Sequence, residues 1–248
     1  MKLALLSDIH ANFHALEACL ADAAGRGATQ YAFLGDLVGY GAQPSAVMDR
    51  VMAFTAQGAW IVRGNHDDAA VQPPLDTTRA DAAGAAWTHA QLNPAQLSFL
   101  AGLPLTRHEN TIFLAHASAH QPQQWRYVEN PRDAGASLEA AGAAVTHVFS
   151  GHVHEQRLFY RGAGRGLMAF EPIPGVAVPV PAHRQWLATV GSVGQPRDGH
   201  SEAMYALFDD SEMQLTFLRV PYDHLAAAQA IRSAGLPTSN ADRLSIGR

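Results

Sequence analysis

Five short stretches of this chain carry the groups that could do chemistry: Asp8-Ile9-His10, Gly35-Asp36, Gly64-Asn65-His66-Asp67, His116, and Gly151-His152-Val153-His154. Asp8 and His10 are two residues apart, so in extended backbone they point to one side. In the third stretch the glycine frees the backbone for a tight turn. Asn65 then offers a neutral oxygen, His66 a ring nitrogen or a proton, and Asp67 a charge to hold the histidine. All the donors are His nitrogens or Asp and Asn oxygens. That set suits divalent manganese, iron, zinc, nickel or cobalt and does not choose among them. Together the stretches read as a two-metal site, a centre that stabilises in-line displacement at phosphorus and needs a bridging carboxylate. Asp36, a lone carboxylate on its own loop, is the natural bridge. A water held between two such ions would supply hydroxide near neutral pH. The leaving alkoxide would then need a proton. His66 is the expected donor, with Asp67 orienting its ring and keeping it charged.

The elements that must position these groups can be read in order. Leu3 to Leu6 is a continuous apolar run, as in a strand covered on both faces, and it ends at Asp8. Asn12 can cap a helix reaching to about Ala24. Tyr31 to Leu34 is a second buried strand, ending at Gly35-Asp36. Pro44 starts a helix, and Trp60 to Val62 is a third strand, ending at the Gly64 stretch. Three repetitions of strand, polar loop and helix predict a parallel α/β sheet, with ligands at the strand ends. Ala69 to Leu100 reads as mostly helical, broken at Pro73-Pro74 and Asn93-Pro94. Thr111 to Ala115 is a strand ending at His116, Pro131 to Ala141 a helix, and Val145 to Ser150 a strand ending at Gly151. Beyond His154, short strands at 157–160, 167–170, 185–190, 204–208 and 215–220 suggest a second, largely antiparallel sheet. A terminal helix runs from about Asp223 to Ala234, stopped by Gly235 and Pro237. The chain, 1–248, is expected to form one domain.

Composition narrows the function classes. The 248 residues carry a formal net charge of −5 with 17 Lys+Arg and no basic run, which argues against a stable nucleic-acid complex built on phosphate contacts. With 48% hydrophobic residues and one cysteine, the chain can bury a substantial core and has no disulfide framework. Cys19 shares a helical stripe with Leu16, Leu20 and Ala23 and reads as a buried small hydrophobe. No apolar stretch is long enough to span a bilayer, and no signal-peptide core is present. A cytoplasmic location is expected.

The order Asp-x-His, Gly-Asp, Gly-Asn-His-Asp, His, Gly-His-x-His resembles the calcineurin-like metallophosphoesterase superfamily. The resemblance covers most of the chain. It implies a four-layer αββα sandwich of two mixed β-sheets flanked by helices. It also implies one metal bound by Asp8, His10, Asp36 and His154, and another by Asp36, Asn65, His116 and His152, with manganese as the leading ion. Members that act as protein phosphatases carry Asp-Arg-Gly after Gly-Asp-x-Val, whereas here Gly35-Asp36-Leu37-Val38 continues as Gly39-Tyr40-Gly41. Gly191-Ser192-Val193-Gly194 instead looks like the small bacterial and archaeal phosphodiesterase branch, although Thr189-Val190 stands where that branch has Asn-Pro. The expected activity is therefore metal-dependent hydrolysis of a small phosphodiester, with nucleotides among the candidate classes. The alternatives are a phosphomonoesterase and a non-catalytic metal-binding scaffold of the same fold. Tyr40, His120 and Arg197 are further candidates for substrate contact.

Overall fold

The structure, a computed structural model, describes residues 1–162 and 166–248. Among them, two six-stranded mixed sheets lie face to face. One sheet runs β3-β2-β1-β11-β12-β9 and the other β4-β5-β6-β10-β7-β8. The first comprises β1 (Lys2–Leu6), β2 (Gln30–Phe33), β3 (Trp60–Ile61), β9 (Ala177–Pro179), β11 (Ala203–Asp209) and β12 (Gln214–Val220). The second comprises β4 (Thr106–Glu109), β5 (Ile112–Ala115), β6 (His147–Ser150), β7 (Gln156–Arg161), β8 (Leu167–Phe170) and β10 (Trp186–Val190).

Strand alternation sorts the core into layers. On β1, Leu3 and Leu5 face the other sheet, with Phe149, Leu158, Ala188 and Phe217. Ala4 and Leu6 face the opposite way, onto Leu16, Cys19 and Val47. These belong to α1 (Phe13–Gly25) and α2 (Pro44–Ala56), which cover the outer face of the first sheet. On the second sheet Val148, Phe159 and Leu187 point outward onto Ala134 and Leu138 of α6 (Pro131–Ala141). The order helix, sheet, sheet, helix is the expected four-layer sandwich.

Local chemistry sets the helix starts. Asn12 Oδ1 accepts from the Ala15 N–H at 3.1 Å, Pro44 opens α2, and Asn130 caps α6 ahead of Pro131. In α5 (Pro94–Ala101), Asn93 and Gln96 each accept the other's backbone N–H, a capping box. The remaining helices are α3 (Asn65–Val71), α4 (Ala80–Gln91), α7 (His224–Ser233) and α8 (Thr238–Ile246). No helix among the described residues is long and apolar enough to cross a membrane.

Three expectations are corrected. The strands beyond His154 do not form a sheet of their own. β10 pairs parallel with β6 and antiparallel with β7, whereas β11 pairs antiparallel with β1 and so extends the first sheet. Gly235 and Pro237 do not close the helical part; they make a corner, and α8 follows with Ala241 and Leu244 buried against Ala228 and Ile231. The helix after the Gly64 stretch starts at Asn65 rather than Ala69, so three motif residues form its first turn.

Candidate metal centre

The motif residues meet where β1, β2, β3, β5 and β6 end. The β1 and β2 loops are zipped together: the Asp8, His10 and Ala11 N–H groups donate to the carbonyls of Gly35, Asp36 and Leu37 at 3.0, 2.9 and 2.9 Å. A third loop closes on them, with Gly194 N–H donating to Asp8 O at 2.9 Å and Ser192 Oγ–H donating to the same carbonyl at 2.8 Å. A Cβ on Gly194 would stand 1.8 Å from Ile9 O, so only glycine allows this approach. Asp8, His10, Asp36, Tyr40, His152 and His154 all hold φ between 48° and 67°. That left-handed region is disfavoured for residues with a Cβ. Six such residues around one point mark backbone strained to aim side chains inward.

The ring geometry shows what those side chains face. His10 Nδ1–H donates to Val38 O at 3.3 Å and His154 Nδ1–H to Gln195 O at 2.6 Å. Both Nε2 atoms are therefore lone-pair acceptors, yet they stand 3.0 Å apart. Asp8 Oδ1 lies 3.1 Å from His154 Nε2 and is buried with no hydrogen-bond donor. A second convergence sits beside the first. His116 Nδ1–H donates to Leu34 O at 2.8 Å. Its Nε2 is 3.1 Å from His152 Nδ1 and 3.2 Å from Asn65 Oδ1. Asp36 Oδ2 lies between the two groups, 3.3 Å from His116 Nε2 and 3.8 Å from His10 Nε2. Buried acceptors aimed at one another repel unless a cation sits among them, so the donor set fits divalent metal. The groupings with metal-ligand geometry are Asp8, His10 and His154; Asp36, His116 and His152; and His10, Asp36 and His66.

The protonation states agree. Burial pulls His152 down to about 4 and, with His154 beside it, holds His10 well below the ordinary histidine value, so both rings are neutral ligands. Burial opposes charge on Asp8 and Asp36, but neighbouring histidines hold both carboxyls well below the usual range. Burial also opposes charge on His116, yet Asp36 and Asp8 outweigh it and raise this ring to about 9. That proton would sit on Nε2, the atom aimed at Asp36 and His152, so a divalent ion binding there displaces it.

Asp67 does not orient His66. Its Oδ1 accepts from the Leu37 and Val38 N–H groups at 2.8 and 3.2 Å, and its Oδ2 from Gly64 N–H at 2.9 Å. It ties the Asp36 loop to the start of α3. Burial and the Asp36 carboxylate push its pKa up to about 7 against the pull of those donors. Nor does Asp67 keep His66 charged, since burial pulls that ring down. His66 lies edge-on to His10, ring centroids 5.1 Å apart, and 4.4 Å from the Tyr40 ring.

The three substrate-contact candidates part company. Arg197 stands over the Tyr40 ring at 5.9 Å and donates from Nη2 to Gln195 Oε1 at 2.8 Å, while its buried Nε has no partner. Asp198, the next residue along the chain, is ion-paired with Arg219 rather than with Arg197. His120 is exposed, and its backbone N–H donates to Ser118 Oγ at 3.1 Å; it is not brought to the centre.

Sequence reasoning missed two aromatic neighbours. Tyr127 stacks on His152 with ring centroids 4.1 Å apart and remains 50% exposed. Trp125 meets His116 edge-on at 5.9 Å. Both lie between a short 3-10 turn (Pro122–Gln124) and α6, where no periodicity could have flagged them.

Comparison with known proteins follows the same lines. Residues 1–213 match the family model of the calcineurin-like phosphoesterase superfamily domain. An uncharacterized protein of Methanocaldococcus jannaschii is 32% identical over 252 residues, covering 99% of this chain and 98% of its own. The crystal structure of a metallophosphoesterase from Sphaerobacter thermophilus, also 32% identical, gives a TM-score of 0.89 over 100% of this chain and 99% of that one. A hypothetical protein of Pyrococcus horikoshii, 18% identical, shares the fold with a TM-score of 0.80 over 100% and 98% of the two chains.

Proposed function

We propose a phosphodiester hydrolase, proceeding from the fact that this chain belongs to the calcineurin-like phosphoesterase superfamily. The observation that carries the reading is the pair of acceptor clusters sharing Asp36 Oδ2. Asp8, His10 and His154 would hold one divalent ion, Asn65, His116 and His152 the other, and Asp36 both. When bound, the two ions supply Lewis acidity at the phosphate and a nucleophile at neutral pH. The chain's own residues do the rest. Leu34, Val38 and Gln195 carbonyls fix the ring tautomers of His116, His10 and His154. His66, half-buried between His10 and Tyr40, stands at the edge of the centre, where it can hand a proton to the departing oxygen. Arg197 presents an unpaired N–H at the same edge for a phosphate oxygen.

The diester reading is supported by Gly39-Tyr40-Gly41 in place of an arginine-bearing loop, since a monoester dianion calls for more positive charge than a diester monoanion. The test is hydrolysis of bis-p-nitrophenyl phosphate against p-nitrophenyl phosphate. The protein would be metal-stripped and reloaded separately with manganese, nickel, cobalt or zinc, with Asp36→Asn as control. Diester turnover that needs metal and Asp36 is expected; preference for the monoester would replace this reading with a phosphomonoesterase. His66→Ala should slow an ester with an alkyl leaving group by about 10²–10⁴-fold, and p-nitrophenyl esters far less, since that anion leaves without a proton. Equal losses on both would remove His66 as the proton donor.

A further inference from the structure

A cavity of about 120 Å³ opens on the side of the centre where His66 and Tyr40 stand. Its other walls are the small-residue face of α4 around Ala80 and Gly84, and the corner between α7 and α8 at Leu236 and Asn240. That corner is fixed in place: Asn240 Nδ2–H donates to Tyr40 O at 3.2 Å, and Leu236, Ala241 and Leu244 bury against α7. It also lies beyond residues 1–213, the part of the chain that matches the superfamily domain.

The walls are selective in chemistry. Among the described residues that line the cavity there is no Lys or Arg. The one carboxylate, Asp81, is taken up by Arg79 through two hydrogen bonds of 3.1 Å. Arg197, the cation at this end of the site, lies over the Tyr40 ring and does not line the cavity. An anionic group entering here would lose water and gain no counter-charge. Ser239 and Asn240 place a hydroxyl and an amide on an otherwise mostly apolar surface. Size is selective too: an engineered cavity of about 150 Å³ holds benzene, so this one suits a ring or a short polyol.

We propose that this cavity receives the leaving alcohol of the ester, and that the alcohol is compact and uncharged. The assignment rests on the hydrolase reading above and narrows its substrate: a diester whose departing arm is a small neutral alcohol and whose phosphate stays at the centre beside Arg197. In the reaction the oxygen of water bonds to phosphorus and the P–O bond to the alcohol breaks. The departing oxygen takes its proton from His66, which is reprotonated from solvent, while the attacking water gives up one proton to solvent.

Gly84 provides the test, since a Cβ built there meets nothing within 4 Å and lies inside a helix. Gly84→Leu therefore fills the cavity without disturbing the centre, and circular dichroism melting confirms that the variant is folded. Two substrates, methyl p-nitrophenyl phosphate and its analogue with a carboxylate on the leaving ring, are assayed with the manganese-loaded wild type and variant. The wild type should favour the uncharged ester at least tenfold in kcat/KM. Gly84→Leu should raise KM for it at least tenfold while metal content is unchanged. Equal turnover of the two esters, or an unaltered KM in the variant, would overturn the assignment. No hydrolysis of either ester by the wild type would overturn the hydrolase reading and the leaving-group role with it. Titration with benzyl alcohol, uncharged at every assay pH, would then show whether Gly84→Leu abolishes binding of a neutral alcohol, as expected, or leaves it unchanged, which would remove the cavity as a binding site.

Discussion

Replacing Asp67 separates two roles that the Gly-Asn-His-Asp stretch leaves open. If its carboxylate steers His66, Asp67→Asn should leave the fold intact and damage proton transfer. The hydrogen bonds say otherwise: three backbone N–H groups, from Leu37, Val38 and Gly64, end on this one fully buried carboxylate. An asparagine oxygen can keep the two bonds from Leu37 and Val38, but its amide nitrogen then faces the Gly64 N–H as donor against donor. One buried donor without an acceptor costs about 1–3 kcal/mol. Alanine leaves three, about 3–9 kcal/mol, a large share of the roughly 5–15 kcal/mol that holds a typical domain together. For a chain of this size, each kcal/mol lowers Tm by about 2–4 °C. The asparagine variant should therefore melt about 2–12 °C lower, and the alanine variant should fold poorly or not at all. Because the same bonds hold the Asp36 loop against α3, metal content should fall in parallel. Differential scanning calorimetry with elemental analysis reads both. An asparagine variant with wild-type Tm and metal content, but with activity lost on alkyl esters and kept on p-nitrophenyl esters, would refute the loop-tying role and restore the His66-orienting one.

Two other perturbations follow from the packing. Gly64→Ala places a Cβ 2.2 Å from Asp36 Oδ1 and 2.3 Å from Asp36 N, so metal content and activity should collapse. By contrast Gly84→Ala, in open space within α4, should gain about 0.5–1 kcal/mol in chemical denaturation. His147 is buried in β6, with Nε2–H donating to Val180 O at 2.8 Å and Nδ1 accepting from Thr146 Oγ1 at 2.9 Å. Burial holds its pKa below the ordinary value. As pH falls through about 6.5, the unfolded chain takes up a proton that the folded ring refuses, so stability falls with pH. Urea unfolding from about pH 8 to pH 5 should show this part of the slope in the wild type and its loss in His147→Gln; an identical slope in the two would show that His147 does not titrate on unfolding.

Most of the centre was legible in the sequence because its ligands sit at strand ends, where an apolar run stops at a polar group. Asp8, Asp36, Asn65, His116, His152 and His154 all follow this rule, and the structure brings them to one place. What was not legible depended on partners distant in the chain. The strands after His154 show the same short, bounded pattern whichever sheet they join. Their division between the sheets is settled by pairing of β11 with β1 and β10 with β6, contacts across about 200 and 40 positions. The role of Asp67 was misread because sequence proximity favoured His66, whereas the loop carrying Leu37 and Val38 lies nearer in space. Trp125 and Tyr127 reach the centre from an irregular segment with no period to read. The cavity could not be foreseen because one wall is α8, whose six charged or polar residues in nine look like a solvated tail.

Metal stoichiometry tests the shared-carboxylate centre most directly. Chelated protein would be dialysed against manganese, and bound metal counted by elemental analysis for the wild type, Asp8→Asn and Asp36→Asn. Two ions per chain are expected in the wild type, one in Asp8→Asn and none held tightly in Asp36→Asn, because Asp36 Oδ2 stands between both clusters. A wild type saturating at one ion, or an Asp36→Asn variant that still binds two, would contradict a centre built around a shared Asp36.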